Sequence, residues 1–213
     1  MEEINRPLYP DEIRLLNKLK RKIIKGRVPT LKLYHYLLIL LTGVALADTA
    51  HQVDIPFVTF VFGTMAAICF LFVVFSPYEV YRKKNQLRKK LVQINNLLME
   101  NVLSVTLIHA SEIALAEEYE DEGDLYLIEY EPGAILYYWD HDYYLRKRLP
   151  CLKFEIYNDD FAALTGRQVH ALSEKATLRM IGAKLKWQYL GKYGAPAHLT
   201  TERVEFEELM NRF

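Results

Sequence analysis

Two apolar runs, Leu33–Ala47 and Ile55–Phe75, stand almost back to back near the start of the chain, each with basic residues on its outer side. They constrain the fold most because they fix the solvent, which is expected to be a bilayer. The second run has no charged residue over 21 positions. At about 1.5 Å per residue, that length crosses a hydrocarbon core of roughly 30 Å. The first run reaches a spanning length as Leu31–Ala50, with Lys32 snorkelling at one end and Asp48 at the water interface at the other. Asp48–Asp54 leaves room only for a tight connection, and Pro56 suits the first turn of a second helix. The sequence thus predicts a helical transmembrane hairpin over 31–77, with spans at about 31–50 and 55–75. A cleaved leader also begins with a basic flank and an apolar stretch. Here the run follows a long charged segment and a second span comes at once, so a retained hairpin is expected.

Charge sets the expected orientation. Residues 1–32 carry nine Lys/Arg, six of them within Lys18–Arg27, and residues 78–90 carry six more. The connection between the spans carries no Lys or Arg. The positive-inside bias therefore places both termini in the cytoplasm, in an integral membrane protein for which a bacterial inner membrane fits. The membrane-interface residues expected from this are Lys18, Lys20, Arg21, Lys22, Lys25, Arg82, Lys83 and Lys84. Divided after residue 103, the zero net charge separates into +7 and −7. The basic part suits an anionic inner leaflet, and the acidic part argues against a nucleic-acid partner. Cys69 lies inside the second run and Cys151 in the acidic part, so no disulfide between them is implied.

The expected organisation has four parts. Residues 1–30 form a basic amphipathic segment, with a helix over 10–26 opened by Pro10-Asp11-Glu12. The hairpin follows. A juxtamembrane helix or stalk over 78–103 carries Leu87, Leu91, Ile94 and Leu98 at heptad spacing, with Asn101 as the next seam position. It reads either as a dimerising stalk or as a helix packing within its own chain. Gly43/Ala47 and Gly63/Ala67 are small-xxx-small steps that would let the two spans pack closely.

Residues 104–213 are acidic, Tyr-rich and alternating. Strands are expected at 112–119, 125–131, 134–140, 143–147, 152–157, 168–172 and 177–181. Pro132-Gly133 joins the second and third of these in a type II turn. Asn158-Asp159-Asp160 breaks the run, 183–190 is ambiguous between helix and strand, and 205–211 is a terminal helix. The fold class expected is a two-span hairpin plus a cytoplasmic α+β domain on a mostly antiparallel sheet, with a small β-barrel or sandwich as the alternative.

Chemistry is sparsely marked. Asp140, His141 and Asp142 are adjacent and would supply acid/base or metal chemistry only if the chain turned there, because strand neighbours face opposite sides. Tyr138 and Trp139 with Arg146, Arg148 and Arg167 could line a pocket for a planar anionic ligand such as a nucleotide. Six carboxylates within Glu117–Asp124 lack the spacing of a calcium loop and read as a solvated turn. No metal-ligand spacing, phosphate loop or other cofactor motif is present in the sequence. A non-enzymatic, membrane-anchored interaction protein or accessory subunit is expected, with a protein partner or a second copy of itself. A sensor gated by a small anionic ligand and a membrane-tethered hydrolase are the alternatives.

Overall fold

A computed structural model describes residues 1–213 apart from Arg27, Asp54, Asp142, Tyr144 and 147–149. The chain divides into two compact units, Asp11–Glu100 and Met1–Pro10 with Asn101–Phe213. Among the described residues, six helices and two mostly antiparallel sheets build them.

The first unit is helical. Helix α1 (Pro10–Lys25) opens on Asp11 and Glu12 and ends on Lys22 and Lys25, each charge matched to the dipole at its end. Helices α2 (Leu33–Gln52) and α3 (Pro56–Glu100) form an antiparallel hairpin, both long and apolar enough to cross a membrane. Helix α3 runs for 45 residues, and Pro77 sits inside it without ending it. The contact line of α2 passes through Tyr36, Ile39, Gly43, Leu46 and Ala50, and that of α3 through Phe62, Ala66, Cys69, Val73 and Ser76. These steps alternate between three and four residues, as in a coiled-coil seam. The Tyr36 and Ser76 hydroxyls are 3.3 Å apart across the seam. A Cβ added at Gly43 would lie 3.0 Å from the Cys69 Cβ, so glycine here permits the close approach.

Of the four small residues singled out in the sequence, only Gly43 lies in this seam. Ala47 and Ala67 are exposed, and Gly63 has nothing within 4 Å of an added Cβ. Repeated four-residue steps drift off a seam that alternates threes and fours, and that drift carries Ala47 out of contact.

Asn101, expected as a seam position, instead terminates α3 in the left-handed region at φ 50°. An asparagine tolerates that conformation better than most side chains. The seam therefore ends with α3, and the chain enters a strand at Leu103.

The second unit is built on two sheets. Sheet one has the order β1 (Glu2–Arg6), β2 (Leu103–His109), β6 (Lys153–Tyr157), β7 (Val169–Ala171), all antiparallel. Sheet two has the order β8 (Arg179–Ile181), β3 (Glu112–Ala116), β4 (Asp124–Glu131), β5 (Ala134–Asp140), β9 (Thr201–Arg203), with only β8 parallel to its neighbour. Neither sheet closes on itself, so the barrel alternative is wrong and the single sheet becomes two. The first residues of the segment assigned to a basic amphipathic stretch belong to a sheet, since Glu2–Arg6 pair with Leu103–Leu107.

Strict alternation explains the layering. Ile113, Leu115, Tyr126, Ile128, Leu136 and Tyr138 share a core with Ile108, Phe154, Ile156 and Val169 of sheet one. The intervening residues Ala114, Leu125, Leu127, Ile135, Tyr137 and Trp139 face the other way, onto Tyr189, Phe206 and Leu209. These last belong to helices α5 (Ala183–Tyr193) and α6 (Phe206–Met210). Sheet two is thus buried on both faces, and every residue of β5 is buried.

Pro132-Gly133 makes the expected two-residue turn, with Gly133 at φ 71°. The register slips between Glu129 and Glu131, a bulge that absorbs the twist mismatch of such a turn. The strand expected over 143–147 does not form at its described residues, where Leu145 and Arg146 lie in a bend and a turn. The expected break at Asn158-Asp159-Asp160 is the start of helix α4 (Asp159–Thr165), with the Asn158 side chain capping the Phe161 N–H at 3.0 Å.

Candidate functional site

The sequence places its catalytic candidates where β5 ends. The Asp140 carboxylate is fully buried and its Oδ2 accepts a hydrogen bond from the Leu145 N–H at 2.7 Å. The His141 ring stacks parallel on Trp139, with centroids 5.8 Å apart and 1° between planes. Trp139 faces the helices and Asp140 the opposite side, so Asp140 and His141 do not converge. Asp142 lies outside the described residues. No group of three or more His, Cys, Asp or Glu among the described residues is placed to hold a metal ion.

The ligand candidates are also dispersed. The Tyr138 hydroxyl donates to Gln168 Oε1 at 3.1 Å inside the inter-sheet core. Trp139 Nε1 donates to the Pro196 carbonyl at 2.8 Å on the helix side. Neighbours on one strand cannot line one pocket from opposite faces. Arg146 is engaged by Asp124 through Nε at 2.5 Å and Nη2 at 2.9 Å. That paired carboxylate holds the guanidinium above its ordinary value. Arg167 lies between α4 and β7, with its backbone N–H on the Thr165 hydroxyl at 3.2 Å, and Arg148 lies outside the described residues.

The acidic turn is more ordered than a solvated loop. The Glu122 carboxylate folds back to accept the N–H groups of Tyr119 at 3.0 Å and Glu120 at 2.6 Å. Lys186, fully buried on α5, donates to the Gly123 carbonyl at 2.5 Å and lies 3.0 Å from Glu122 Oε1. Desolvation pushes the Glu122 carboxyl up, but the hydrogen bonds from Glu120, Lys186 and Tyr119 outweigh it and hold the group at about 2. Gly123 at φ 88° is required twice over, because an added Cβ would also lie 2.9 Å from the His141 ring and 3.0 Å from the Asp140 carbonyl.

Folding the turn this way leaves an outer surface. Tyr119 and Trp187 remain 47% and 49% exposed, with ring centroids 5.4 Å apart. Glu117, Glu120 and Asp121 are exposed on the same turn.

His198 was unmarked in the sequence. Just before β9 the chain already runs along the edge of β5, where Leu199 N–H bonds the Tyr137 carbonyl at 2.8 Å. One step on, the imidazole replaces a backbone partner: the Trp139 N–H donates to His198 Nδ1 at 3.1 Å. That bond needs Nδ1 unprotonated. Burial lowers the His198 pKa, His141 adds to the depression, and Asp159 opposes it. The folded state therefore binds fewer protons than the unfolded chain. The resulting stability is present above an unfolded value of about 6.5 and is lost as pH falls through the depressed one. The melting temperature of the wild type should drop between pH 7.5 and 5, and His198→Asn should flatten that dependence. An unchanged slope would remove His198 from the account.

The helical unit presents a different surface. Leu41, Phe57, Phe60 and Val74 are 68%, 76%, 72% and 66% exposed, on both helices. The hydroxyls of Thr42, Thr49 and Thr64 each donate to the carbonyl four residues earlier, at 2.8–2.9 Å, and that of Thr59 reaches the Val53 carbonyl at 2.8 Å. Such back-bonding satisfies the hydroxyls within their own chain. Lys18, Arg21, Lys22, Lys25, Arg82, Lys83 and Lys84 are exposed and Lys20 is half-buried. Arg82 pairs with Glu79 one turn earlier, at 3.2 Å.

No family model, curated protein or solved structure matches this chain.

Proposed function

We propose that the chain is a membrane-anchored, non-enzymatic interaction protein or accessory subunit. Its hairpin spans a bilayer, both termini lie on the cytoplasmic side, and the α+β unit is presented at an anionic inner leaflet. The observation that carries this is the combination of apolar exposure over the faces of α2 and α3 outside their shared seam with basic flanks at both outer ends. A hairpin helix buried in a soluble core would turn such side chains inward, whereas lipid leaves them facing out. The partner reading rests on Tyr119 and Trp187 beside the acidic turn, a surface suited to a basic protein.

Alkaline extraction of membranes should leave the chain in the pellet. With Gln52→Cys, an impermeant maleimide should label intact cells, whereas Met99→Cys should label only after lysis. Release by alkali, or the reverse labelling pattern, would overturn the anchor or its orientation. Purified in mild detergent, the protein should carry a stoichiometric second protein by light scattering and mass spectrometry. That partner should be lost in Tyr119→Ala/Trp187→Ala. A lone monomer would count against the partner.

A further inference from the structure

We infer that the helical unit holds one anionic phospholipid in a cleft between the end of α1 and the stretch of α3 beyond Pro77. The cleft measures about 240 Å³ and is lined by Lys22, Ile23, Val28, Pro29, Lys83 and Leu87. Its walls are apolar, from Ile23, Val28, Pro29 and Leu87, and each helix supplies one lysine. Gly26 ends α1 with its N–H on the Lys22 carbonyl at 2.8 Å, and a Cβ there would lie 3.0 Å from that carbonyl oxygen.

Two features select the occupant. An apolar trough with an exposed lysine on each wall suits a glycerol and acyl-chain base, with a phosphate above it within reach of the two flexible side chains. A free phosphate would gain nothing from Ile23, Val28 or Leu87, and a neutral lipid nothing from the lysines. The position agrees, because Lys83 follows the apolar run of α3 by only two helical turns and Val28-Pro29 precede the first residue of α2 by five and four residues. On the membrane reading proposed above, on which this inference rests, both walls lie at headgroup depth. Lysines further along α3 would sense the leaflet only as diffuse charge. Lys22 and Lys83 would hold one molecule in place.

The test uses the full-length protein in mild detergent, titrated with phosphatidylglycerol or phosphatidylcholine and read by native mass spectrometry. One phosphatidylglycerol per chain should persist at activation energies that strip phosphatidylcholine. Lys22→Gln/Lys83→Gln should weaken that binding roughly thirty-fold, at the contribution each near-surface lysine makes. Val28→Trp should abolish it with every charge intact, by filling the trough. Arg88→Gln/Lys89→Gln removes the same charge elsewhere on α3 and should leave it unchanged. Equal losses in the two double variants, equal retention of both lipids, or no retained lipid would overturn the site. Alkaline extraction of the same variants keeps the readings apart: pelleted protein without a specific lipid refutes the cleft alone, and released protein refutes the anchor.

Discussion

Arg6→Ala is expected to destabilise the α+β unit by about 3–5 kcal/mol, the usual cost of removing one partner of a buried ion pair. Arg6 and Glu155 side chains are only 9% and 1% exposed. The guanidinium grips the carboxylate with Nε at 2.9 Å and Nη2 at 2.6 Å, while the Tyr9 hydroxyl donates to Oε1 at 3.3 Å. Its Cζ also lies 3.7 Å above the Tyr9 ring. Alanine at position 6 strands the Glu155 charge in a site with little water. A stability of about 5–15 kcal/mol is ordinary for a domain, so the loss is a large fraction of the total.

The consequence is local as well as global. Strand β1 lies at the edge of its sheet and pairs only with β2. Arg6 reaches past β2 to Glu155 on β6, and so ties the edge strand to the sheet interior. Both tryptophans, Trp139 and Trp187, belong to this unit, so tryptophan emission during denaturant unfolding reports on it without contribution from the helical unit. The double variant Arg6→Met/Glu155→Leu removes the charge problem along with the pair and should recover most of the loss. A single variant with wild-type midpoint, or a double variant no better than the single, would show that the pair does not hold the strand.

That strand marks where the sequence stops being legible. Glu-Glu-Ile-Asn-Arg has neither alternation nor β propensity, and its reason for being extended lies about 100 to 150 residues away, in β2 and Glu155. Helix α4 was hidden differently. At seven residues it is too short for a helical period to show, and its Asn158 cap and acidic first turn read equally well as a break. By contrast, β5 was legible to the residue, because Ile, Leu, Tyr and Trp leave little choice of conformation. The long apolar runs were legible because nothing polar interrupts them. The site followed the same division. Trp139, Asp140 and His141 could be picked out as unusual neighbours, but their separation depends on strand parity and on what covers each face. Lys186 carried no signal, since a lysine among Lys184 and Lys192 reads as one more exposed charge on a helix.

Lys186→Met carries the second large expectation. The lysine is fully buried, places its ammonium 5.1 Å above the Trp139 ring, and joins α5 to the acidic turn through Gly123 and Glu122. Methionine keeps the volume and loses both polar partners, leaving a buried carbonyl without its donor and a carboxylate without its cation. A loss of about 2–4 kcal/mol is expected from the two together. The pH dependence makes the origin recognisable. In the wild type the folded Glu122 carboxyl titrates at about 2, below an ordinary value of 4.5, so its stabilisation is present above 4.5 and lost as pH falls toward 2. Without Lys186 the folded value moves back toward the ordinary one and less stability is lost over that window. The gap between wild type and Lys186→Met should therefore be widest above pH 5 and should narrow as pH falls toward 2. A gap that stays constant with pH would trace the loss to packing or to the Gly123 bond, and would leave Glu122 out of it. A negligible loss at pH 7 would mean that α5 does not hold the turn. In that case the surface made by Tyr119 and Trp187 would need another source of order.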